Sequence, residues 1–151
     1  MTDIEIQNID VLEVLPQRPP FVLISRMMHY EDDSMVTQTD ITPDGLPGSF
    51  SLVVTDGLFD DTSLVENIAQ TCAARIGYYN KYILKVDVSI GFIGAIRQLD
   101  IHRLPQVGET IETSINILSS AFGMSLANAT IKTLSGEIIA EGEMKIVTKD
   151  N

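Results

Sequence analysis

The first forty residues combine an irregular stretch with a strand-like pattern. Residues 15–20 contain three prolines, which remove backbone donors and fix the backbone angle, so neither helix nor central strand is expected there. Residues 21–30 are rich in Val, Leu, Ile and Met, and residues 35–41 alternate apolar and polar positions after an acidic turn. This pattern predicts a β-hairpin. Turn chemistry explains the acidic tip at residues 31–33 better than a metal site does.

A long helix is predicted in the middle of the chain, ending near Tyr79. Residues 60–63 supply N-cap candidates and place acidic charge at the positive end of the helix dipole. The apolar surface that follows is wider than one amphipathic stripe, so we expect the helix to be mostly buried. It also carries small residues, which allow other backbone to approach closely. These are Ala69, Ala73, Ala74 and Gly77.

Strand-like patterns occupy most of the remaining chain. The glycine- and proline-containing residues 43–57 indicate a loop with a short strand near 50–54, and four further strands are predicted over residues 86–99, 109–119, 124–133 and 137–148. An antiparallel sheet must cover its apolar face, and the helix is the element available to do so. The expected class is therefore α+β, with the sheet curled around the helix. Its long edges favour a homodimer.

Composition narrows the class of protein. At 151 residues with 44% hydrophobic content, the chain fits one domain, with a core at about residues 10–148 and only the first ~8 and last ~3 residues frayed. A single cysteine excludes an internal disulfide and is typical of a reducing compartment. No secretory signal, membrane-spanning stretch or cofactor motif is present. We expect a cytoplasmic protein without cofactor or metal.

The charge distribution is uneven. A formal net charge of −11 disfavours nucleic-acid binding, since it repels phosphates. Between Arg75 and Arg103, however, five basic residues outnumber two acidic ones, a local excess of +3. Such a basic patch suits an anionic partner or ligand, such as a phosphopantetheine arm or an acidic carrier protein. Ordinary surface charge explains the same count equally well.

Glu66 is the strongest candidate for chemistry. It interrupts the apolar surface of a helix that should be buried, and a buried carboxylate is costly unless it is paired or used. Gln70 lies one turn further on, where its amide could orient this carboxylate or bind a thioester carbonyl. Alternatively, residues 63–66 match the S-x-x-E capping box, in which Glu66 only satisfies a backbone donor.

The other reactive residue types give weaker signals. His29 and His102 are far apart in sequence and near predicted strand ends, which is typical of surface histidines. Folding or dimerisation could still bring one of them to Glu66. Cys72 lies within the helix and is expected to be a small core residue. No nucleophile elbow or Cys-His pattern is found.

Three segments resemble bacterial 3-hydroxyacyl-acyl-carrier-protein dehydratases. Residues 15–26, LPQRPPFVLISR, resemble their opening L-P-H-R-x-P-F-x-L-x-D-R. Residues 64–70, LVENIAQ, resemble their central-helix motif L-x-E-x-[MI]-A-Q, and residues 100–109 are similar to their F-K-R-P-V-x-P-G-D segment near the tunnel mouth. Phe59-Asp60-Asp61 is most similar to a divergent branch associated with aryl polyene and related pigment lipids.

The resemblance covers about residues 15–147 and implies a hotdog fold, with acyl sites between paired subunits. It implies a catalytic role for Glu66, with Gln70 and Gln17 as further candidates in the catalytic site. It also suggests a set of residues that contact substrate or carrier. These are Arg18, Phe21, Phe59, Arg97, His102 and Arg103.

Two departures from that family affect the expected activity. Its catalytic histidine, in a G-H-F-P-G motif, should fall near residues 50–53, where this chain has none, and the histidine of the opening motif is Gln17. Dehydration needs a base for the α-proton and an acid for the hydroxyl. Glu66 must therefore act alone, or Gln17, a water or another subunit must replace the histidine.

Three functions follow from these features. The first is a dehydratase, or dehydratase subunit, acting on carrier-bound 3-hydroxyacyl chains in fatty-acid or related lipid biosynthesis, with activity reduced by the missing histidine. The second is a non-catalytic acyl-binding subunit of a hetero-oligomeric dehydratase. The third is an acyl-thioester hydrolase, in which a helix carboxylate activates water beside an amide.

Overall fold

The N-terminal segment is ordered against the rest of the protein. The computed structural model describes residues 2–19, 21–42, 54–55, 58–86 and 91–149. Helix α1 (Asp3–Gln7) begins with a capping box between Thr2 and Glu5, and its Ile6 is 2% exposed. The prediction that the first residues are frayed is therefore wrong, because a capped turn lets Ile6 pack into the core. A 3₁₀ turn follows at Val11–Glu13.

The predicted hairpin is confirmed. Residues 15–19 form neither helix nor strand, and β1 (Arg26–Glu31) then pairs antiparallel with β2 (Ser34–Asp40). Residues 21–25 precede β1 without joining the sheet. Two short strands, β3 (Val54–Thr55) and β4 (Leu58–Phe59), pair with each other immediately before the long helix. The loop predicted at 43–57 lies mostly outside the described residues.

Helix α2 (Asp61–Tyr78) is the long central helix, and it begins and ends where the sequence predicts. Asp60 is its N-cap, and the Asp60 side chain accepts a hydrogen bond from the backbone N–H of Ser63 at 2.8 Å. A π turn at Tyr79–Ile83 continues it. The predicted close backbone approach is seen at Gly77, where any Cβ would overlap the carbonyl oxygen of Val14.

The remaining strands complete a six-stranded antiparallel sheet. They are β5 (Gly91–Ile101), β6 (Thr110–Ala121), β7 (Met124–Thr133) and β8 (Ile138–Lys149). The strand order is β1-β2-β6-β7-β8-β5, so β5 follows the helix in sequence but lies at the far edge of the sheet. The four predicted C-terminal strands are confirmed, with small shifts at their ends.

The core lies between α2 and the concave side of the sheet. Helix residues Leu64, Ile68 and Cys72 are completely buried. They share one apolar cluster with residues of β6, β7 and β8, among them Ile111, Ile115, Ile131 and Met144. The predicted α+β arrangement, an antiparallel sheet around a long helix, is confirmed, and a second apolar cluster packs the N-terminal segment against β1 and β2.

Candidate active site

The start of α2 decides between the two interpretations of Glu66. A capping box would require Ser63 at the N-cap, but Asp60 occupies that position and Ser63 is the third residue of the helix. Glu66 is therefore the sixth helical residue, beyond the first turn, where backbone N–H groups already have helical partners. The capping interpretation is wrong, and the carboxylate of Glu66 is left for other interactions.

The predicted contact between Glu66 and Gln70 is present. Glu66 is half-buried, and Gln70 is completely buried. Gln70 Nε2 donates to Glu66 Oε1 at 3.0 Å. Among the described residues no hydrogen bond to Glu66 Oε2 is formed. One oxygen of the carboxylate is thus held by an amide, and the other remains available for a proton or a ligand.

Gln70 is itself fixed by the segment before β1. Its Nε2 also donates to the carbonyl oxygen of Phe21 at 2.8 Å, and its Oε1 accepts from the backbone N–H of Leu23 at 2.8 Å. Both amide hydrogens are therefore in use. Gln70 can orient Glu66, but it has no free N–H with which to bind a thioester carbonyl, the second role considered for it.

A second buried amide, Asn67, escaped the sequence analysis. It is completely buried, and its Nδ2 donates to the carbonyl oxygen of Leu23 at 2.8 Å and to Thr39 Oγ1 at 3.0 Å. Its Oδ1 accepts from Thr113 Oγ1 at 2.6 Å. The available signal was a polar residue on the buried face of α2, opposite inward-facing threonines on two strands.

Gln17 and Arg18, the two predicted site residues of the proline-rich segment, differ in their hydrogen bonds. Gln17 Oε1 is buried without a hydrogen-bond partner in the described part of the chain, and Gln17 forms no hydrogen bond with Glu66 there. Arg18 is exposed, and its Nη1 donates to the carbonyl oxygens of Leu15 and Gln17 at 2.7 and 2.9 Å. Their catalytic and binding roles stay predictions.

The two predicted aromatic contacts lie in different environments. Phe21 is 64% exposed, and its carbonyl oxygen is held by Gln70, so it lies beside the Glu66 carboxylate. Phe59 is completely buried in the main core cluster and offers no surface to a carrier protein. Phe21 is therefore the better placed of the two for a ligand.

Arg103 is engaged by carboxylates of its own chain. Its guanidinium donates to Glu109 through Nη1 and Nη2, both at 2.9 Å, and to Glu137 through Nε and Nη2 at 2.8 and 3.0 Å. These hydrogen bonds, first to Glu137 and then to Glu109, raise the pKa of Arg103, and Arg103 lowers the pKa of both glutamates. Binding a substrate here would require breaking this cluster.

Three residues of the basic stretch lie near acidic residues from other parts of the chain. Arg97 lies 3.9 Å from Glu143, His102 lies 3.7 Å from Glu141, and Lys81 lies 3.4 Å from Glu13. These carboxylates offset part of the local excess of positive charge, and a count along the sequence omits them. The basic patch as a surface for an anionic partner stays a prediction. A contact of Arg97 or His102 with substrate stays a prediction.

Neither His29 nor Cys72 has an environment suited to catalysis. His29 Nδ1 lies 2.7 Å from Asp3 Oδ1 and His29 Nε2 lies 3.1 Å from Glu31 Oε1, and hydrogen bonds to these carboxylates, first to Asp3, raise the pKa of His29. Cys72 is buried, and burial raises the pKa of its thiol to about 12. The expectation that Cys72 is a core residue is confirmed.

Two of the surface pockets that described residues form have defined linings, and Glu66 lines neither of these two. The larger, of about 340 Å³, lies beside the 3₁₀ turn and includes Pro19, Val22 and Arg26. The smaller, of about 280 Å³, lies on β5, β7 and β8. Within the described ranges, no three His, Cys, Asp or Glu side chains are grouped so that they could hold a metal ion. No helix described is long and apolar enough to cross a membrane.

An antiparallel sheet packed on one long helix, which here carries Glu66, defines the class as that of hotdog-fold proteins. A family model described as ApeP-like, ApeP dehydratase, matches residues 9–151. The chain therefore belongs to the ApeP-like dehydratase family. This result confirms the divergent dehydratase branch to which the sequence motifs point.

Relatives agree with this assignment. The 3-hydroxyacyl-[acyl-carrier-protein] dehydratase FabZ of Acetivibrio thermocellus is 25% identical over 154 residues, covering 99% of this chain and 96% of the relative. The enzyme of the same name from Herpetosiphon aurantiacus is 26% identical over 143 residues, covering 93% and 96%. Both matches span almost the complete chains.

Solved structures show the fold. The dehydratase heterocomplex ApeI:P from Xenorhabdus doucetiae matches with a TM-score of 0.79 at 17% identity, covering 96% of this chain and 94% of that chain. The PaaI protein of E. coli matches with a TM-score of 0.59 at 9% identity, covering 80% of each. The predicted hotdog fold is confirmed.

Proposed function

We propose that this chain is a dehydratase subunit that removes water from 3-hydroxyacyl chains carried on acyl carrier protein, with Glu66 as its proton-transferring group. The observation that carries the proposal is the state of the Glu66 carboxylate. Gln70 holds Oε1, while Oε2 has no hydrogen-bond partner among the described residues. The family assignment and the two FabZ relatives support the reaction class and the substrate.

The reaction needs two proton transfers. A base takes the proton from C2 of the 3-hydroxyacyl thioester, the electron pair forms the C2–C3 double bond, and the C3–O bond breaks as an acid gives the leaving hydroxyl a proton. The products are an enoyl thioester and water. Oε2 of Glu66 can serve one of these transfers, while the amide on Oε1 keeps the carboxylate in a fixed orientation.

In our proposal, neither of the two histidines of this chain is the second proton-transferring group. His29 and His102 are each close to surface carboxylates, and their side chains are 41% and 51% exposed. Residues 50–53, where the family histidine is expected, contain no histidine and lie outside the described residues. A water held by the buried Gln17 Oε1, or a residue of another subunit, would fill the role.

The edge strand β5 supports a paired subunit. It hydrogen-bonds to β8 on one side, and no described strand pairs with its other side. Ile83, Leu84 and Val86, which follow α2, are 40–50% exposed. An open strand edge favours β-pairing with a second chain, either another copy or a histidine-bearing hotdog subunit, and exposed apolar side chains favour burial against such a chain. The solved Xenorhabdus relative is a heterocomplex, which supports the second choice.

A non-catalytic acyl-binding subunit is the second candidate function, and the absence of a histidine from residues 50–53 favours it. In that case the partner would carry out both proton transfers. Glu66 would then act only as a hydrogen-bond acceptor for the substrate hydroxyl.

An assay on the purified protein distinguishes these functions. The wild-type chain, alone and mixed with a histidine-bearing hotdog dehydratase subunit, is given a 3-hydroxyacyl carrier protein, and enoyl product and free thiol are followed. Enoyl product that disappears in Glu66→Gln supports the proposal. Free thiol in place of enoyl product would instead identify a hydrolase.

The matched control is Glu112→Gln. Glu112 is also half-buried and also accepts from a glutamine amide, Gln38 Nε2 at 3.0 Å, but it lies on β6 away from Glu66. This variant should keep wild-type activity. Enoyl formation that survives unchanged in Glu66→Gln would reject a proton-transfer role for Glu66 and favour the binding subunit.

A further inference from the structure

Asn67 follows Glu66 directly in the chain, and its side chain is completely buried. Its amide connects four parts of the protein: helix α2, the segment before β1, strand β2 through Thr39, and strand β6 through Thr113. The amide uses both of its N–H groups and its carbonyl oxygen. No side-chain hydrogen bond of Asn67 extends to the surface, since the residue is completely buried.

Burying an amide at position 67 costs free energy, and packing of the core does not require an amide there. The neighbouring buried positions of α2, Leu64 and Ile68, are apolar, and an apolar residue in place of Asn67 would need no partner. A buried polar group is favourable only when all its hydrogen bonds are satisfied, and then it specifies one arrangement of its neighbours. The role of Asn67 is therefore expected to be positional.

The position that Asn67 fixes is that of residues 21–23. Asn67 binds the carbonyl oxygen of Leu23, and Gln70 binds the N–H of Leu23 and the carbonyl oxygen of Phe21. Thr39 Oγ1 donates to the carbonyl oxygen of Leu23 as well, at 3.1 Å. The amides of Asn67 and Gln70 thus hydrogen-bond the C=O and the N–H of Leu23, as the backbone of a neighbouring strand would.

This segment in turn determines the orientation of Glu66. The hydrogen bonds of Gln70 to Phe21 and Leu23 restrict the rotation of its amide, and so they fix the direction from which Nε2 donates to Glu66 Oε1. If Leu23 moves, both anchors of Gln70 move with it. The contacts therefore form a continuous path from Asn67 through Leu23 and Gln70 to the carboxylate.

We propose that Asn67 is a positioning residue for the reaction at Glu66, acting through Leu23 and Gln70 without touching the substrate. This inference rests on the proposed dehydratase function. It predicts a specific consequence: loss of the Asn67 amide lowers turnover because Glu66 is less well oriented, and the loss matters only while Glu66 is present.

The test compares Asn67→Leu with Thr71→Val. Thr71 is completely buried one turn further on, and its hydroxyl bonds Thr37 Oγ1 and the carbonyl oxygen of Asn67, each at 2.9 Å, without reaching residues 21–23. Both variants remove buried polar contacts between α2 and the sheet. They differ in whether the segment beside Glu66 loses a hydrogen bond.

In Asn67→Leu we expect kcat for enoyl formation to fall about 10- to 100-fold, with KM changed by less than about threefold. In Thr71→Val, kcat should stay within about twofold of wild type. In a Glu66→Gln background, Asn67→Leu should cause no further loss. Equal losses in the two single variants, or the same fold-loss from Asn67→Leu in the Glu66→Gln background, would overturn the positioning role.

A readout independent of activity separates this inference from the proposed function. The two side-chain N–H signals of Gln70 in an NMR spectrum should lie away from the chemical shifts of a free glutamine amide in wild type and Thr71→Val, and should move towards those shifts in Asn67→Leu. Unchanged Gln70 signals in Asn67→Leu would contradict the inference, whereas an inactive wild type with the expected signals would contradict the dehydratase function alone.

Thr39→Val provides the same test if Asn67→Leu does not fold. It removes one hydrogen bond from the carbonyl oxygen of Leu23 and one from Asn67, and it keeps the amide in place. We expect a smaller fall in kcat, about 3- to 10-fold, again absent in the Glu66→Gln background. Wild-type kcat in Thr39→Val would count against the proposal.

Discussion

Glu66 and Arg103 are both charged residues in motifs shared with dehydratases, yet the fold treats them in opposite ways. Arg103 meets two carboxylates, which take hydrogen bonds from all three of its nitrogens. Among the described residues, Glu66 accepts one hydrogen bond, from the neutral amide of Gln70 to a single oxygen. The charge of Arg103 is thus paired within the chain, whereas no described residue pairs with the charge of Glu66.

If Glu66 is catalytic as proposed, the difference in hydrogen bonding distinguishes it from Arg103 better than burial does. Both side chains are partly exposed, so exposure alone would not distinguish them. What differs is how completely their hydrogen-bonding capacity is satisfied by the rest of the protein. A charged group with a fixed orientation and an open position is prepared to bind or react.

The largest expected effect is on activity at Glu66. Glu66→Gln should lower the rate of enoyl formation by about 10²- to 10⁴-fold, because an amide acts neither as a general acid nor as a general base at neutral pH. Its free energy of unfolding should change by less than about 1 kcal/mol, since the amide carbonyl can still accept from Gln70. Enzyme assays and urea unfolding measure the two effects. If unfolding of Glu66→Gln accounts for its lost activity, the contrast drawn between Glu66 and Arg103 is refuted.

Gln70→Leu should have a mixed effect. It removes the hydrogen bonds that Gln70 makes with Phe21 and with the buried N–H of Leu23, which should lower the free energy of unfolding by about 2 kcal/mol. It also frees the Glu66 carboxylate to rotate, so kcat should fall about 10-fold in the protein that remains folded. Steady-state kinetics below the unfolding transition measure this, and normal kcat there would show that Gln70 does not orient Glu66.

Arg103→Gln should lower stability and leave activity unchanged, the reverse of what we expect for Glu66→Gln. Loss of the bidentate pair with Glu109 should lower the free energy of unfolding by about 1 kcal/mol, a modest value because the pair is partly screened by solvent. Enoyl formation should stay within about twofold of wild type. If kcat falls more than about tenfold while the fold is intact, Arg103 binds substrate after all.

The same cluster predicts a pH dependence. Arg103 lowers the pKa of Glu109 and Glu137, so their stabilising contribution is present above the unfolded pKa of about 4.3 and is lost as the pH falls through the lower folded values. The stability difference between wild type and Arg103→Gln should therefore shrink below about pH 4. Urea midpoints measured from about pH 7 to about pH 3 test this, and a constant difference would contradict it.

The smallest effect is expected at His29. Hydrogen bonds to Asp3 and Glu31 raise its pKa, so its stabilising contribution is fully present below the unfolded value of about 6.5 and is lost as the pH rises through the folded pKa. His29→Gln should lower the free energy of unfolding by less than about 1 kcal/mol at about pH 6, and by less than that at about pH 9. The variant should keep the turnover of wild type. Lost turnover would place His29 at the active site.

The sequence predicted the elements and the Glu66–Gln70 pair because these depend on local periodicity. It could not predict the Arg103 cluster, since Glu137 is 34 residues away and approaches only when β8 pairs with β5. Asn67 was missed for a similar reason. Its partners Thr39 and Thr113 lie on two other strands, and a helix pattern contains no information about them.

The central claim is that Glu66 of this chain moves a proton of the substrate, and hydrogen exchange at C2 tests it most directly. The 3-hydroxyacyl carrier protein is incubated in D₂O with the wild-type protein or with Glu66→Gln, in the oligomer that the chain forms, and deuterium at C2 is measured by mass spectrometry. We predict steady incorporation with wild type and a rate at least about 100-fold lower with Glu66→Gln. Equal incorporation by both proteins would contradict the account.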